Sequence, residues 1–307
     1  MSEPGQTPHT PAPHDQTLRA PAPHGQTPHT PAPRAAAGRP DIRPEIRRVR
    51  HDTRLRRLTV QHVQHLTPKM LRVALAGSDL AGFTSLGFDD HVKVFIPTES
   101  HDLVLPKMGP DGPVYPQGAP KPTMRDYTPR KYDAAEGILY LDFVIHKAGP
   151  ATTWAANARP GIPLGVGGPR GSFVIPTQFD WHLLIGDETA LPAIGRRLEE
   201  LPADTRAIVI AEVDGPEEQQ SFASAAPTEI IWVYRNSAPG DPALLLERLR
   251  SLAFPKGDYF AWIAAETQVA RALRQYLLTE RSANKQWVKA AGYWRRGTAG
   301  THERIED

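Results

Sequence analysis

The chain has 307 residues, with 36 Lys+Arg against 34 Asp+Glu and a formal net charge of +2. That is long enough for two domains of ordinary size and too evenly balanced for a general nucleic-acid coat, which needs a large basic excess. With no cysteine, disulfides, cysteine-ligated zinc or iron–sulfur clusters and thiol nucleophiles are excluded. No apolar run approaches the ~18 residues of a membrane span, and the opening Met1-Ser2-Glu3-Pro4 lacks the basic-then-apolar layout of a secretory signal. A cytoplasmic protein with neither nucleic acid nor membrane as partner is expected.

Residues 1–40 hold ten of the 32 prolines, and Gly5 to Pro13 recurs unchanged as Gly25 to Pro33. So little buriable surface cannot offset roughly 1–2 kcal/mol of backbone entropy per residue, so this segment reads as a disordered or polyproline-like arm. Its His9, His14, His24 and His29 are weak metal candidates beside the plainer reading of a solvated extension. The body, 41–307, opens with a basic stretch from Arg43 to Arg57. Strand patterns follow at Leu58–Val63, Met70–Leu75 and His91–Pro97. Ile138–His146 places Leu139, Leu141, Phe143 and Ile145 on one face. Short strands between Gly/Pro turns suggest an antiparallel barrel or sandwich over about 45–177.

The pattern changes after Pro176. Trp181–Gly186, Arg206–Ala211, Glu229–Tyr234, Tyr259–Ala264 and Gln286–Gly292 read as buried strands. Helical spacing lies between them at Leu191–Leu201 and Gln268–Leu278, and Asp241-Pro242-Ala243 starts a third helix. Alternating strands and helices mean a parallel sheet covered on both faces.

Four stretches can carry chemistry. In Arg125-Asp126-Tyr127-Thr128 an extended chain puts Arg125 and Tyr127 on one side, a guanidinium for phosphate and a flat ring for a tricyclic system; a plain surface strand fits as well. Asp142 to Ala155 ends a strand at His146, turns at Gly149 and opens a helix at Pro150, an arrangement suited to a pyrophosphate or simply to water. Gly165 to Phe173 is glycine-rich, either a close approach to a ligand or a tight interdomain turn. Gly186 to Ile194 has strand, polar turn and helix in order without a full G-x-G-x-x-G fingerprint. Glu212 ends the next strand, as a ribose acceptor favouring NADH or as a solvated carboxylate; Arg235 and Arg271 are unplaced.

These segments, with Gly168-Pro169-Arg170-Gly171-Ser172-Phe173 and the C-terminal Gly292-Tyr293-Trp294-Arg295-Arg296-Gly297, resemble the bacterial siderophore-interacting proteins, flavin-dependent ferric-siderophore reductases of the ferredoxin-reductase-like superfamily. The resemblance covers about 45–297 and leaves out the arm. It implies a six-stranded antiparallel Greek-key β-barrel holding FAD (41–177), then a parallel-sheet α/β domain binding NAD(P)H (178–307). By match, Arg125 contacts the FAD phosphate, Tyr127 packs on the isoalloxazine and Thr128 reaches its N5 side, Tyr127 and Thr128 being the catalytic pair. Val144, His146, Ala151 and Thr152 contact the rest of FAD, with Gly168 and Ser172 from the glycine-rich stretch. Asp187 and Thr189, beside Glu188, face the nicotinamide dinucleotide. Lys93, Lys289 and Arg295 are the candidates for an anionic ferric siderophore, with Arg296 nearby and Tyr293 and Trp294 as cover for the flavin or as chain-end packing.

The implied function is transfer of electrons from NADH, NADPH or ferredoxin through FAD to chelated iron(III), in a monomer. Nicotinamide gives two electrons and iron takes one, and a flavin converts between them. The alternatives are a general flavin or ferredoxin reductase and a siderophore carrier without turnover.

Overall fold

The computed structural model describes residues 45–97, 103–109, 112–146, 149–235, 239–298, 300 and 302–305. The repetitive arm, with its four histidines, lies outside them, as do Lys147 and Ala148 of the turn before Gly149. In chain order the elements are β1 (Arg47–Arg50), β2 (Leu55–Thr67), β3 (Met70–Ala76), β4 (Val92–Ile96), β5 (Lys107–Gly109), β6 (Gly112–Val114), β7 (Thr123–Tyr127), β8 (Pro129–Asp133), β9 (Ile138–Val144), α1 (Pro150–Ala156), β10 (Pro163–Gly167) and β11 (Gly171–Val174). The second half holds β12 (Trp181–Gly186), α2 (Leu191–Glu200), β13 (Arg206–Val213), β14 (Thr228–Tyr234), α3 (Ala243–Ser251), β15 (Tyr259–Glu266), α4 (Thr267–Thr279), β16 (Val288–Trp294) and β17 (Glu303–Ile305).

Among the described residues the first half is one antiparallel sheet of seven strands, ordered β7-β4-β10-β2-β3-β9-β8, with β1 and β11 forming one separate pair and β5 and β6 another. Its two margins, β7 and β8, are joined by Thr128 alone, so the sheet must curl until its edges nearly meet. The alternation read from the sequence is the alternation of this curl: Leu139, Leu141 and Phe143 are fully buried inside with Val73, Val94 and Leu164. Burying a side chain of this size contributes about 1.5–3 kcal/mol. α1 closes the core with Trp154, whose ring lies 5.4 Å from that of Phe143.

The glycine-rich stretch proves to be the end of β10, a short connection over 168–170 and the start of β11. A Cβ at Gly165 would meet Leu105 Cδ2 at 2.5 Å and Phe95 Cβ at 2.9 Å, and one at Gly171 would meet the Val49 carbonyl oxygen at 2.5 Å. These glycines serve strand packing.

The second half is a sheet ordered β14-β13-β12-β15-β16-β17, parallel except for β17. Its central strands are buried on both faces, which is why they read as unbroken apolar runs. Leu184, Val209 and Trp262 pack with α2, whereas Ile185, Ile210 and Ile263 pack with α3 and α4. α3 starts one residue later than its sequence suggests, at Ala243, and Asp241 Oδ1 still accepts from the Ala243 amide at 2.9 Å. The two halves share buried surface: Met70, Phe88 and Ile175 lie in the same cluster as Leu191 and Ile194 of α2. Arg130 grips Glu199 through two bonds of 2.9 and 2.5 Å. This junction fixes the walls of the cleft described next.

Candidate functional site

A cavity of about 470 Å³ opens between the margin of the curled sheet, the start of α1, the turn after β12 and the chain end that follows β16. The size suits a cofactor or small ligand. β7 puts Arg125 and Tyr127 on its wall, because residues two apart on a strand share a face. Tyr127 rests on Phe143, ring centroids 4.3 Å apart and tilted by 37°. Burial raises its phenol above the ordinary tyrosine range, against the pull of Arg125, so the ring is a neutral surface. Arg125 Nη1 donates to the Met124 carbonyl at 2.7 Å. Thr128 is buried at the corner between β7 and β8, and burial raises the nearby Tyr293 phenol above the ordinary tyrosine range.

Val144 at the end of β9 and His146 just after it continue the wall, and Ala151 and Thr152 supply the first turn of α1. Gly149 precedes the helix at φ 143°, and a Cβ there would press on His146 Cε1 at 3.3 Å. No side-chain bond caps α1, so its first-turn amides are left for solvent or a ligand. Thr152 Oγ1 donates to the Val144 carbonyl at 3.5 Å.

The opposite wall comes from the turn after β12. Gly186 is required there: a Cβ would meet Ala190 Cβ at 2.3 Å and the Ala264 carbonyl at 2.4 Å. Thr189 lines the cavity, but Asp187 sits behind it, 4% exposed. Its Oδ1 accepts from the Thr189 amide and hydroxyl at 2.9 and 2.5 Å, and its Oδ2 from Trp294 Nε1 at 2.8 Å and the Glu266 amide at 3.2 Å. Burial, then the nearby Glu188 charge, pushes its pKa up to about 7. Asp187 thus organises the wall rather than facing the cavity. Tyr293, Trp294 and Arg295 cover that wall from the end of β16.

Four expected residues lie apart from this cavity or are engaged beside it. The Gly168 carbonyl accepts from buried Arg56 at 2.8 Å, in a separate polar pocket. Ser172 is buried and donates to Asp90 Oδ2 at 2.5 Å. Lys289 pairs with Asp89 at 2.6 Å and stands over the Phe173 ring at 4.4 Å. Lys93 pairs with Asp126 at 2.7 Å, and Asp126 does line the cavity. Glu212 is no solvated strand end: it is buried, and its Oε1 accepts from Arg235 Nε at 3.0 Å. Arg235 also donates to Glu188 and Asp214, and Lys69 pairs with Asp214 from the first sheet. Arg271 pairs with Glu303.

Sequence reasoning missed this Arg235 hub, the Trp294–Asp187 bond and two rim residues, His91 and His302. Each joins positions too far apart in the chain for any spacing rule.

A family model described as siderophore-interacting protein matches residues 179–297, and one described as siderophore-interacting FAD-binding domain matches residues 59–173. The NADPH-dependent ferric-chelate reductase of Escherichia coli (strain K12) is 38% identical over 250 residues, 80% of this chain and 95% of that protein. The ferric vibriobactin reductase ViuB of Vibrio cholerae is 33% identical over 238 residues, 76% of this chain and 87% of that one. A siderophore utilization protein from T. fusca, known from its crystal structure, superposes with a TM-score of 0.77 at 41% identity, covering 84% of this chain and 98% of that one.

Proposed function

Because the chain belongs to the siderophore-interacting protein family, we propose that it is an FAD-dependent reductase that takes electrons from NADPH or NADH and releases iron(II) from a ferric siderophore. The observation that carries this reading is the cleft itself, where the aromatic ring and the arginine of β7 converge with the uncapped start of α1.

The donor set fits FAD. Tyr127 offers a rigid neutral ring backed by Phe143, a surface for a flat tricycle. Arg125 offers a cation, and the α1 amides offer donors to phosphate. A side chain at Gly149 would crowd His146 along the same wall. Bound there, FAD would accept a hydride's two electrons and return them one at a time. Tyr127 and Thr128 orient the ring, and Tyr293 closes the far end of the wall. Thr189 and Trp294, both fixed by Asp187, shape the face that admits a nicotinamide and exclude water from it.

In this reading residues 41–177 hold the flavin and 178–307 the nicotinamide dinucleotide. Counting β7 and β8 as one strand bent at Thr128 turns the seven-stranded sheet into a six-stranded Greek-key barrel. Arg295 on the rim and Lys93 beside it attract an anionic chelate. Iron(III) is held by oxygen ligands far more tightly than iron(II), so one electron loosens it. Ferredoxin as an alternative donor, a monomeric state and a cytoplasmic location belong to the same proposal. Among the described residues no helix is long and apolar enough to cross a membrane. The test is anaerobic mixing of the FAD-reduced protein with a ferric siderophore and an iron(II) trap. Flavin reoxidation with trapped iron(II) is expected, and the absence of both defeats the proposal.

A further inference from the structure

Three side chains from distant parts of the chain meet on one wall of the cleft. His91 directly precedes β4, Asp126 lies on β7, and His302 directly precedes β17. One candidate ligand atom from each lies within 4.8 Å of the others. The two imidazole rings stand 4.7 Å apart, centroid to centroid, at 59°. His302 is braced on its other side by the Tyr293 ring at 5.5 Å. We propose that His91, Asp126 and His302 form a landing site for a divalent first-row metal ion, which in this protein is the iron(II) freed in the cleft. The metal site stands on the triad alone; only the origin of the ion rests on the reductase reading.

The donor set favours iron(II) over the iron(III) that arrives. A siderophore surrounds iron(III) with hard oxygen donors, whereas imidazole suits divalent first-row ions. Two histidines and one carboxylate leave the remaining coordination positions open, the arrangement of non-haem iron(II) sites. Metal–ligand distances of about 2.0–2.2 Å bring donor atoms to roughly 3 Å of each other. The triad must therefore contract by about 1–2 Å, which rotation of the two exposed histidine side chains can supply.

Lys93 sets the strength of the site. Its ammonium donates to Asp126 Oδ1 at 2.7 Å, where a cation would otherwise be drawn, and β4 holds Lys93 directly opposite Asp126. The lysine occupies the carboxylate until a metal displaces it. Its charge then weakens the metal's hold, as a site that must pass its ion onward requires. A bound metal would also tie β7 and the residue before β4 to the C-terminal segment, across one wall of the cleft.

The test titrates the full-length, FAD-loaded, oxidised protein with cobalt(II), which does not exchange electrons with the flavin. Calorimetry on wild type, H91A/H302A, D126N and K93A supplies the comparison, and any binding by the arm histidines is common to all four. Wild type is expected to take up one cobalt(II) more per chain than H91A/H302A. D126N, which keeps the side-chain shape, loses the same site. K93A binds several-fold more tightly, since one nearby positive charge is removed. Identical titrations of wild type and H91A/H302A overturn the proposal. Flavin reoxidation by a ferric chelate reads the parent function separately. If it proceeds while cobalt(II) finds no such site, the triad fails and the reductase reading stands; the reverse result leaves the metal site and removes the reductase.

Discussion

Trp294 Nε1 donates to Asp187 Oδ2 at 2.8 Å, joining residues 107 positions apart and fixing the chain end against the turn after β12. The same carboxylate holds the Thr189 amide and hydroxyl and the Glu266 amide. In Asp187→Asn an amide nitrogen must face at least one of these donors. A loss of about 1–3 kcal/mol is expected, read from the urea midpoint. NADPH-driven flavin reduction should slow more than FAD retention weakens, because the disturbed wall is the one opposite Tyr127. Equal stability and unchanged kinetics would show that Asp187 does not organise that wall.

Arg235 is almost fully enclosed and serves Glu188, Glu212 and Asp214 at once. Burial raises Glu212 above the ordinary carboxylate range even against the opposing pull of Arg235, so this acid is poorly hydrated. Arg235→Ala leaves it unpaired, and a cost of about 3–5 kcal/mol is expected, visible as a lowered melting temperature. Arg235→Lys should recover part of this but not all, since an ammonium lacks the planar fork.

His182 is wholly buried between the Phe179 and Phe260 rings. Burial, reinforced by the Arg197 charge, lowers its pKa to about 3. The unfolded chain protonates this histidine near pH 6.5 while the folded chain does not. Its contribution is therefore complete above pH 6.5 and is lost as pH falls toward 3. Between pH 7.5 and 5.5 the wild type should lose about 1 kcal/mol more than His182→Leu. Denaturant titrations at the two pH values check this, and parallel pH profiles would refute it.

Arg125 provides a cation on the cleft wall beside the ring of Tyr127. Arg125→Ala should weaken FAD binding about tenfold or more, the value of a hydrogen bond to a charged group. Flavin fluorescence on dilution measures it, and unchanged retention would remove Arg125 from the phosphate site.

Arg295 stands on the rim at the end of the covering segment. Arg295→Ala should raise KM for anionic ferric chelates several-fold at low salt, with a smaller effect at high salt as the field is screened. Steady-state rates at two ionic strengths decide it; an equal effect on neutral chelates would point to packing instead.

The strands from β12 to β16 were legible because two-sided burial demands continuous apolar runs, and those runs survive any rearrangement of loops. Strand alternation placed Arg125 and Tyr127 on one face and a helix start at Pro150, but left a plain surface strand and a solvated helix end equally open; Val144, His146, Ala151 and Thr152 came from the family resemblance, and the structure puts all six on the cavity wall. The glycine-rich stretch was ambiguous, since a missing side chain admits either a ligand or a neighbouring strand, and Leu105 and Phe95 decide for the strand. Lys289 looked like a free charge until Asp89, 200 positions earlier, turned up against it. Charge in a sequence is visible; its partner is not. The same blindness hid Arg235 behind Glu212, and His91 from His302.

Thr128 is the lone hinge pin by which one margin of the curled sheet hands the chain to the other. Extra residues inserted there would let the seam gape while leaving every interstrand ladder nominally available, whereas the hairpin tip at 134–137 lengthens a turn whose strands stay paired. A peptide tag should thus be accepted at the tip and rejected at the pin, and a circularly permuted chain with its new termini at the pin should fold into a sheet unable to grip its cofactor.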